Sequence, residues 1–165
     1  MDKIEFVPMN MFERGTLKSQ LMDAYSFDQR WPELFQDDWQ EYDDFFFDNE
    51  KILAACGFVT CLNGKPIGHI SWDPRNAPGY VIIGHNCILS AYKGNGYGKK
   101  QLSEAVRRII EHKNPEKIIV STNDNLIAKH NYESVGFKLV KREENTDRSA
   151  FSGDYLYYEM KLRQK

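Results

Sequence analysis

From Leu89 to Lys100 the sequence reads Leu-Ser-Ala-Tyr-Lys-Gly-Asn-Gly-Tyr-Gly-Lys-Lys, with glycines at 94, 96 and 98 and lysines at 93, 99 and 100. Glycine adopts backbone dihedrals closed to other residues and lets a ligand approach the main chain closely. A helix that opens at such a turn presents N–H groups with no internal partner and a partial positive charge. The stretch therefore reads as a turn for a phosphate or diphosphate. Spacing excludes two common versions of it. A Walker A loop has four residues between its first glycine and a Gly-Lys-Ser/Thr end, but three separate Gly94 from Gly98, and Lys100 stands where the hydroxyl belongs. The dinucleotide fingerprint, counted from Gly94, requires a glycine at the position of Lys99. For the lysines taken alone, the plain alternative is three solvated surface charges.

The elements around the turn are those that such a site requires. Residues 80–89 form a mostly apolar run behind Ala77-Pro78-Gly79, as a buried strand does. After the turn, Leu102, Ala105, Val106, Ile109 and Ile110 recur at spacings of three and four, with Lys99, Lys100, Arg107, Arg108 and Glu111 between them. This is an amphipathic helix, ended by Asn114-Pro115. A strand over 117–122 leads through Asn123-Asp124-Asn125 into a second helix with Ala128, Tyr132 and Val135 on one face and Gly136 at its close. Upstream, a strand at 4–7 precedes helical stretches near 11–25 and 32–49. Strands at 58–62 and 67–72 flank Asn63-Gly64, a two-residue hairpin signal. Strands at 137–142 and 155–162, joined by a polar loop through Glu143-Glu144-Asn145-Thr146-Asp147-Arg148, complete the chain.

A chain of 165 residues without a visible linker fits one domain, residues 1–165. It has no long apolar run, and its Met1-Asp2-Lys3-Ile4-Glu5 start lacks the basic-then-apolar order of a secretory signal, so a cytoplasmic protein with no membrane partner is expected. Cys56, Cys61 and Cys87 are odd in number and scattered, which fits buried reduced thiols and no metal site. The formal charge of -2 gives no global attraction to nucleic acid.

Lys93-x-x-Gly96-x-Gly98 resembles the coenzyme A signature of the GNAT superfamily of N-acetyltransferases, Arg/Gln-x-x-Gly-x-Gly/Ala, with Lys93 a mild departure. Asn125-x-x-Ala128-x-x-x-Tyr132-x-x-x-Gly136-Phe137 resembles that family's second motif, and the likeness covers roughly residues 56–162. The resemblance implies a mixed α/β fold. Its central, mostly antiparallel sheet is splayed between the strands ending at Leu89 and Thr122 and has helices on both faces. Acceptor-side helices at about 10–50 would precede an acetyl-CoA-binding core at about 56–162. The pantetheine arm would pair with the main chain of Cys87, Ile88 and Leu89. Lys93, Gly94, Asn95, Gly96, Tyr97, Gly98 and Lys99 would hold the pyrophosphate. Asn125 would bond the pantetheine or the amine, or simply cap its helix.

The implied chemistry is attack of a neutral amine on the acetyl thioester of acetyl-CoA, expelling coenzyme A as a thiolate, with no metal. A lysine-like amine, of pKa about 10.4, must first lose a proton. Tyr132 matches the family's general acid, and a phenol with a reference pKa of about 10 is protonated at neutral pH; the competing reading is an ordinary core tyrosine. Relatives place a basic glutamate on the central strand where this chain has Ile82, Ile83 and Gly84. The nearest titratable side chain is His85, the candidate base, against the commoner reading of a half-buried structural histidine. His69 and Asp73 are weaker candidates, and His112 and His130 read as surface. Cys87 as a nucleophile is disfavoured because no motif sets a base beside it.

Between Leu21 and Glu50 stand ten acids, Asp23, Asp28, Glu33, Asp37, Asp38, Glu41, Asp43, Asp44, Asp48 and Glu50, against Arg30 alone. Among them lie Tyr25, Phe27, Trp31, Phe35, Trp39, Tyr42, Phe45, Phe46 and Phe47. Such a segment would draw a cationic amine to aromatic rings, or would be an amphipathic helix pair with its acids in water. Polyamine, aminoglycoside, peptide N-terminus and protein lysine all stay open as acceptors. Two other classes are weighed. A non-catalytic acetyl-CoA-binding module rests on the missing glutamate. A nucleic-acid partner would use Lys93, Lys99, Lys100, Arg107 and Arg108 as a basic strip, against which the acidic front half argues. A homodimer is common in the family, yet no stretch of this sequence announces an interface; the last strand could pair across a two-fold, or simply close the sheet.

Overall fold

The structure is a computed structural model, and it describes residues 1–124, 126, 128–146 and 153–162. Among these residues run seven strands: Ile4–Val7 (β1), Gly57–Leu62 (β2), Lys65–Asp73 (β3), Tyr80–Ile88 (β4), Lys117–Asn123 (β5), Lys138–Glu143 (β6) and Tyr155–Lys161 (β7). They are hydrogen-bonded in the order β1-β2-β3-β4-β5-β7-β6. The α-helices are Thr16–Ala24 (α1), Arg30–Asp48 (α2), Glu50–Ala55 (α3), Tyr97–Lys113 (α4) and Ala128–Val135 (α5). This is the expected mixed α/β fold with a mostly antiparallel sheet. α2 ends where the sequence places its end, with Asn49 at φ -124° and ψ 79°, but the short α3 that follows at once was not foreseen. No helix among the described residues is long and apolar enough to cross a membrane, and none of their His, Cys, Asp and Glu side chains group in a way that could hold a metal.

The chain divides into two compact units, neither of them a continuous segment. The first comprises Met1–Ser71 and His85–Tyr97. Here β2 and β3 turn at Asn63 (φ 51°) and Gly64 (φ 83°), the pair of positive dihedrals that a two-residue hairpin requires. Met9, Leu17, Leu21, Phe58, Val59, Ile67 and Ile70 are fully buried. Nine residues make α1 too short to persist alone. Its start is held from α2, where buried Asp43 accepts hydrogen bonds from the N–H groups of Gly15 (2.8 Å) and Lys18 (3.0 Å). α2 carries Trp31, Phe35, Trp39, Tyr42 and Phe46 at spacings of three and four. Several acids of this segment are occupied internally: Asp28 pairs with Arg30 at 2.6 Å, and Asp44 and Asp48 pair with Arg14 at 3.1 and 2.5 Å.

The second unit comprises Trp72–Gly84 and Gly98–Lys165. α4 buries Leu102, Ala105, Val106 and Ile109, while Ile110, expected in the same stripe, is exposed. The helix stops at Asn114, whose φ of 44° precedes Pro115, as the sequence predicts. Arg107 pairs with Glu104 and Glu111, and Arg108 with Glu104, so two cations of the supposed basic strip are met within the helix itself. The parallel ladder of β4 and β5 covers only Tyr80–Ile82 against Lys117–Ile119. β5 then pairs with β7 along its length, from Lys117 with Lys161 to Asn123 with Tyr155. β7 also pairs with β6. The last strand therefore closes the sheet from inside, with both edges taken, and the two-fold route through it does not exist. The edge strand on this side of the sheet is β6, exposed at every residue.

Candidate active site

The turn after β4 is built by short-range contacts. A single 3-10 turn, Ser90–Tyr92, follows Leu89, and Lys93 leaves it extended at φ -66° and ψ 152°. Gly94 and Gly96 both have φ of +82°, and a Cβ built on either would meet nothing within 4 Å. The asparagine between them donates from Nδ2 to the carbonyls of Tyr92 and Lys93, each at 3.2 Å, and ties the loop together. α4 begins directly at Tyr97. Alternate left-handed residues with open space beside the main chain, running into the first N–H groups of a helix, form a cradle suited to an anion. Lys99 and Lys100 are exposed at its start. Lys93 is placed otherwise. Its ammonium donates to the carbonyl of Ala24 at the end of α1 and lies 4.8 Å over the ring of Phe27.

Ile88 and Leu89 are half-buried and Cys87 is buried at the end of β4, where the Leu89 N–H donates to the Ile67 carbonyl at 2.8 Å. Burial pushes the Cys87 thiol up to about 12. A histidine does lie beside it, which the sequence did not reveal: His69 Nδ1 is 3.5 Å from Cys87 Sγ. The same nitrogen is 2.8 Å from Gln20 Oε1, which can only accept, so Nδ1 carries the proton and His69 is not poised to take one from the thiol there. Full burial, and then the charge of His85, push the His69 pKa down to about 3. His69 is thus a core histidine.

His85 is half-buried, and its ring meets that of Tyr42 edge-on at 4.4 Å. Burial pushes its pKa down to about 4, against the opposing charge of Asp38. Tyr42 donates its hydroxyl to Ser71 Oγ at 2.7 Å and stacks 6.0 Å from His69. Both Tyr42 and Asp38 belong to the acidic, aromatic segment read from the sequence, but that reading did not tie either to His85. What could have found them is their spacing of four on α2, which puts a carboxylate one turn before a tyrosine on the same side. Asp73, the weaker candidate, lies in the second unit and is engaged by Arg75 at 2.7 and 2.9 Å, which holds its carboxyl below the usual range. His112 and His130 are exposed, as expected.

In the second unit, Tyr132 is 3% exposed on α5, with its ring 5.8 Å from that of Phe137 and 6.0 Å from that of Tyr158. Asn125 lies outside the described residues. In the first unit, Trp39 forms a cluster with Leu21, Ala24 and Cys87, against which Met22, Tyr25, Trp31, Phe35 and Tyr42 pack. Ring centroids stand 5.2 Å apart for Tyr25 and Trp39, 5.7 Å for Trp31 and Phe35, and 6.0 Å for Phe35 and Trp39.

Residues 18–137 match the model of the acetyltransferase (GNAT) family. No curated protein matches the sequence. Among solved structures, the chain is similar to yncA of Salmonella typhimurium, solved with its cofactor acetyl-CoA, at 14% identity and a TM-score of 0.72, covering 100% of this chain and 96% of that one. It is similar to RimL, the ribosomal L7/L12 alpha-N-protein acetyltransferase in complex with coenzyme A, at 12% identity and a TM-score of 0.73, covering 96% and 94%. A third likeness, 23% identical with a TM-score of 0.64 and covering 98% and 99%, is to the NatC complex bound to Gag peptide and coenzyme A. At these identities the likeness is one of fold.

Proposed function

The chain belongs to the acetyltransferase (GNAT) family, and on that premise we propose that it moves the acetyl group of acetyl-CoA to the primary amine of a cationic small molecule, peptide or protein. The observation that carries this reading is the cradle of Gly94 and Gly96, both at φ +82° with open space beside them, leading into α4. Its main-chain N–H groups and Lys99 would hold the pyrophosphate. Of the three residues expected to hold the pantetheine amides, Cys87 and Ile88 would do so through their main chain, whereas Leu89 already gives its N–H to Ile67 and accepts at its carbonyl from Tyr92. The short β4–β5 ladder supports this, because it leaves β4 after Ile82 out of that pairing. When bound, acetyl-CoA supplies the thioester to be attacked.

The chain's own residues would manage protons. Tyr132 would donate to the leaving sulfur, a role supported by its place in the second motif and by a phenol that is protonated at neutral pH. His85 would accept the proton released as the new bond forms. An imidazole at about 4 is roughly six pH units too weak to strip a lysine-like ammonium, a gap of about 8 kcal/mol, so the amine must reach neutrality against solvent first. The aromatic cluster built largely on α2, with Glu33, Asp37, Asp38 and Glu41 of that helix, would favour a cationic acceptor, Asp43, Asp44 and Asp48 being engaged by α1 and Arg14.

Calorimetric titration with acetyl-CoA, with ATP and NAD as phosphate-bearing controls, tests the donor side. One-to-one binding of acetyl-CoA alone is expected. Binding of a nucleotide instead, or of nothing, would overturn the reading. Thiol release on adding cationic amines then separates an enzyme from a module that only binds acetyl-CoA.

A further inference from the structure

We propose that Lys93 and Asp23 are positioning residues that fasten the phosphate turn to the end of α1, and that the Lys93 ammonium is not a phosphate ligand. This rests on the reading of the turn given above. Five contacts join the segment entering the turn to the C-terminal end of α1 and the residues just after it. The Ser90 N–H donates to Asp23 Oδ1 at 2.8 Å, and the Ser90 hydroxyl donates to the Asp23 carbonyl at 2.8 Å. The hydroxyl of Ser26 lies 3.4 Å from that of Ser90. The Lys93 ammonium donates to the Ala24 carbonyl and covers the face of Phe27.

The physical logic is that of a helix end. The last carbonyls of a helix lack internal partners and carry partial negative charge, which a cation offsets. α1 has no basic residue in its last turn. Lys93, 69 residues further along, supplies that cation. Its ammonium also has a ring face beneath it, and the side chain is half-buried. Two glycines follow within three residues, at dihedrals that leave the loop little stiffness of its own. Fixing Ser90 and Lys93 is what sets the direction from which the chain enters the cradle. Asp23 is the matching half, an exposed acid whose carboxylate is occupied by a main-chain N–H of the partner segment.

The two roles part on salt dependence and on the response to Asp23. Acetyl transfer is measured from acetyl-CoA and from S-acetylpantetheine, which lacks the pyrophosphate, for the wild type, Lys93→Met and Asp23→Asn. A positioning role raises KM for acetyl-CoA by a similar factor, about tenfold, in both variants, because either change displaces the cradle, and leaves KM for S-acetylpantetheine nearly unchanged. KM does not depend on how much of the protein is folded, so partial unfolding cannot imitate this. The log-log salt slope of acetyl-CoA affinity stays that of the wild type in both variants. Loss confined to Lys93→Met, together with a salt slope shallower by about one, would make Lys93 a phosphate ligand and overturn the proposal. An unchanged KM for acetyl-CoA in both variants would overturn it too. If the wild type binds no acetyl-CoA, it is the assignment of the turn that has failed.

Discussion

The proton duties proposed for Tyr132 and His85 are opposite, and the surroundings of the two side chains differ. Tyr132 sits between Phe137 and Tyr158, so replacing it by phenylalanine removes a hydroxyl and keeps the ring packing. We expect Tyr132→Phe to bind acetyl-CoA nearly as the wild type does and to turn over about 10²-fold more slowly, which calorimetry and a thiol-release assay check together. Unchanged turnover would return Tyr132 to the core. For His85, a pKa near 4 means that the imidazole is neutral throughout the working range. The expected kcat/KM profile therefore rises with unit slope towards the acceptor's own pKa and shows no inflection near 6.5. A limb at 6.5 would show a histidine outside this burial. Since an α-amine titrates near 8 and a lysine near 10.4, the same profile reports which kind of amine the enzyme takes. At this scale the sequence was a partial guide. It singled out His85 because nothing else titratable stood nearby, but it could not show that Gln20 fixes the tautomer of His69 or that Tyr42 lies across His85. Those neighbours come from helices 40 or more positions away, and no local pattern announces them.

Among elements, α1 shows how an interaction remote in sequence makes a helix. Its first N–H groups are satisfied by Asp43, 28 residues on from Gly15. Removing a buried, doubly bonded carboxylate leaves those donors unmet, so Asp43→Ala should cost about 2–3 kcal/mol, read as a fall in the urea midpoint. Asp43→Asn, which keeps one acceptor, should lose less; equal stability of all three proteins would remove Asp43 from this role. Most elements were legible because their cues are local: Asn63-Gly64 for the hairpin, spacings of three and four for α4, Asn114-Pro115 for its end. Two features were not. The end of α2 at Asn49 was read, but α3 was not, because the six residues Glu50–Ala55 are too few to show a helical period. The interior place of β7 depends on which neighbours it finds, and its alternating side chains read the same at an edge as between two strands.

For the molecule as a whole, pH acts through buried His69 and half-buried His85. Both have folded pKa values below the reference of 6.5, His69 near 3 and His85 near 4. Unfolded chains thus bind protons that the native state refuses. The stability these histidines confer is complete above 6.5 and is lost as pH falls towards their folded values. Around pH 5 the difference is one to two protons, or roughly 1.4–2.7 kcal/mol per pH unit. Urea midpoints at pH 7, 6 and 5 should fall along that slope, and His69→Gln should flatten it; a midpoint constant over this range would contradict the burial of both rings. The interleaved division of the chain was not legible in the sequence, since each unit recruits a distant segment. The cysteines give that division a practical meaning. Cys56, Cys61 and Cys87 are all buried, and all three belong to the first unit, while the second contains none. A thiol-alkylating reagent applied to the native protein therefore clocks the opening of one unit and is blind to the other, so the unengineered chain already carries a unit-specific reporter of its own breathing.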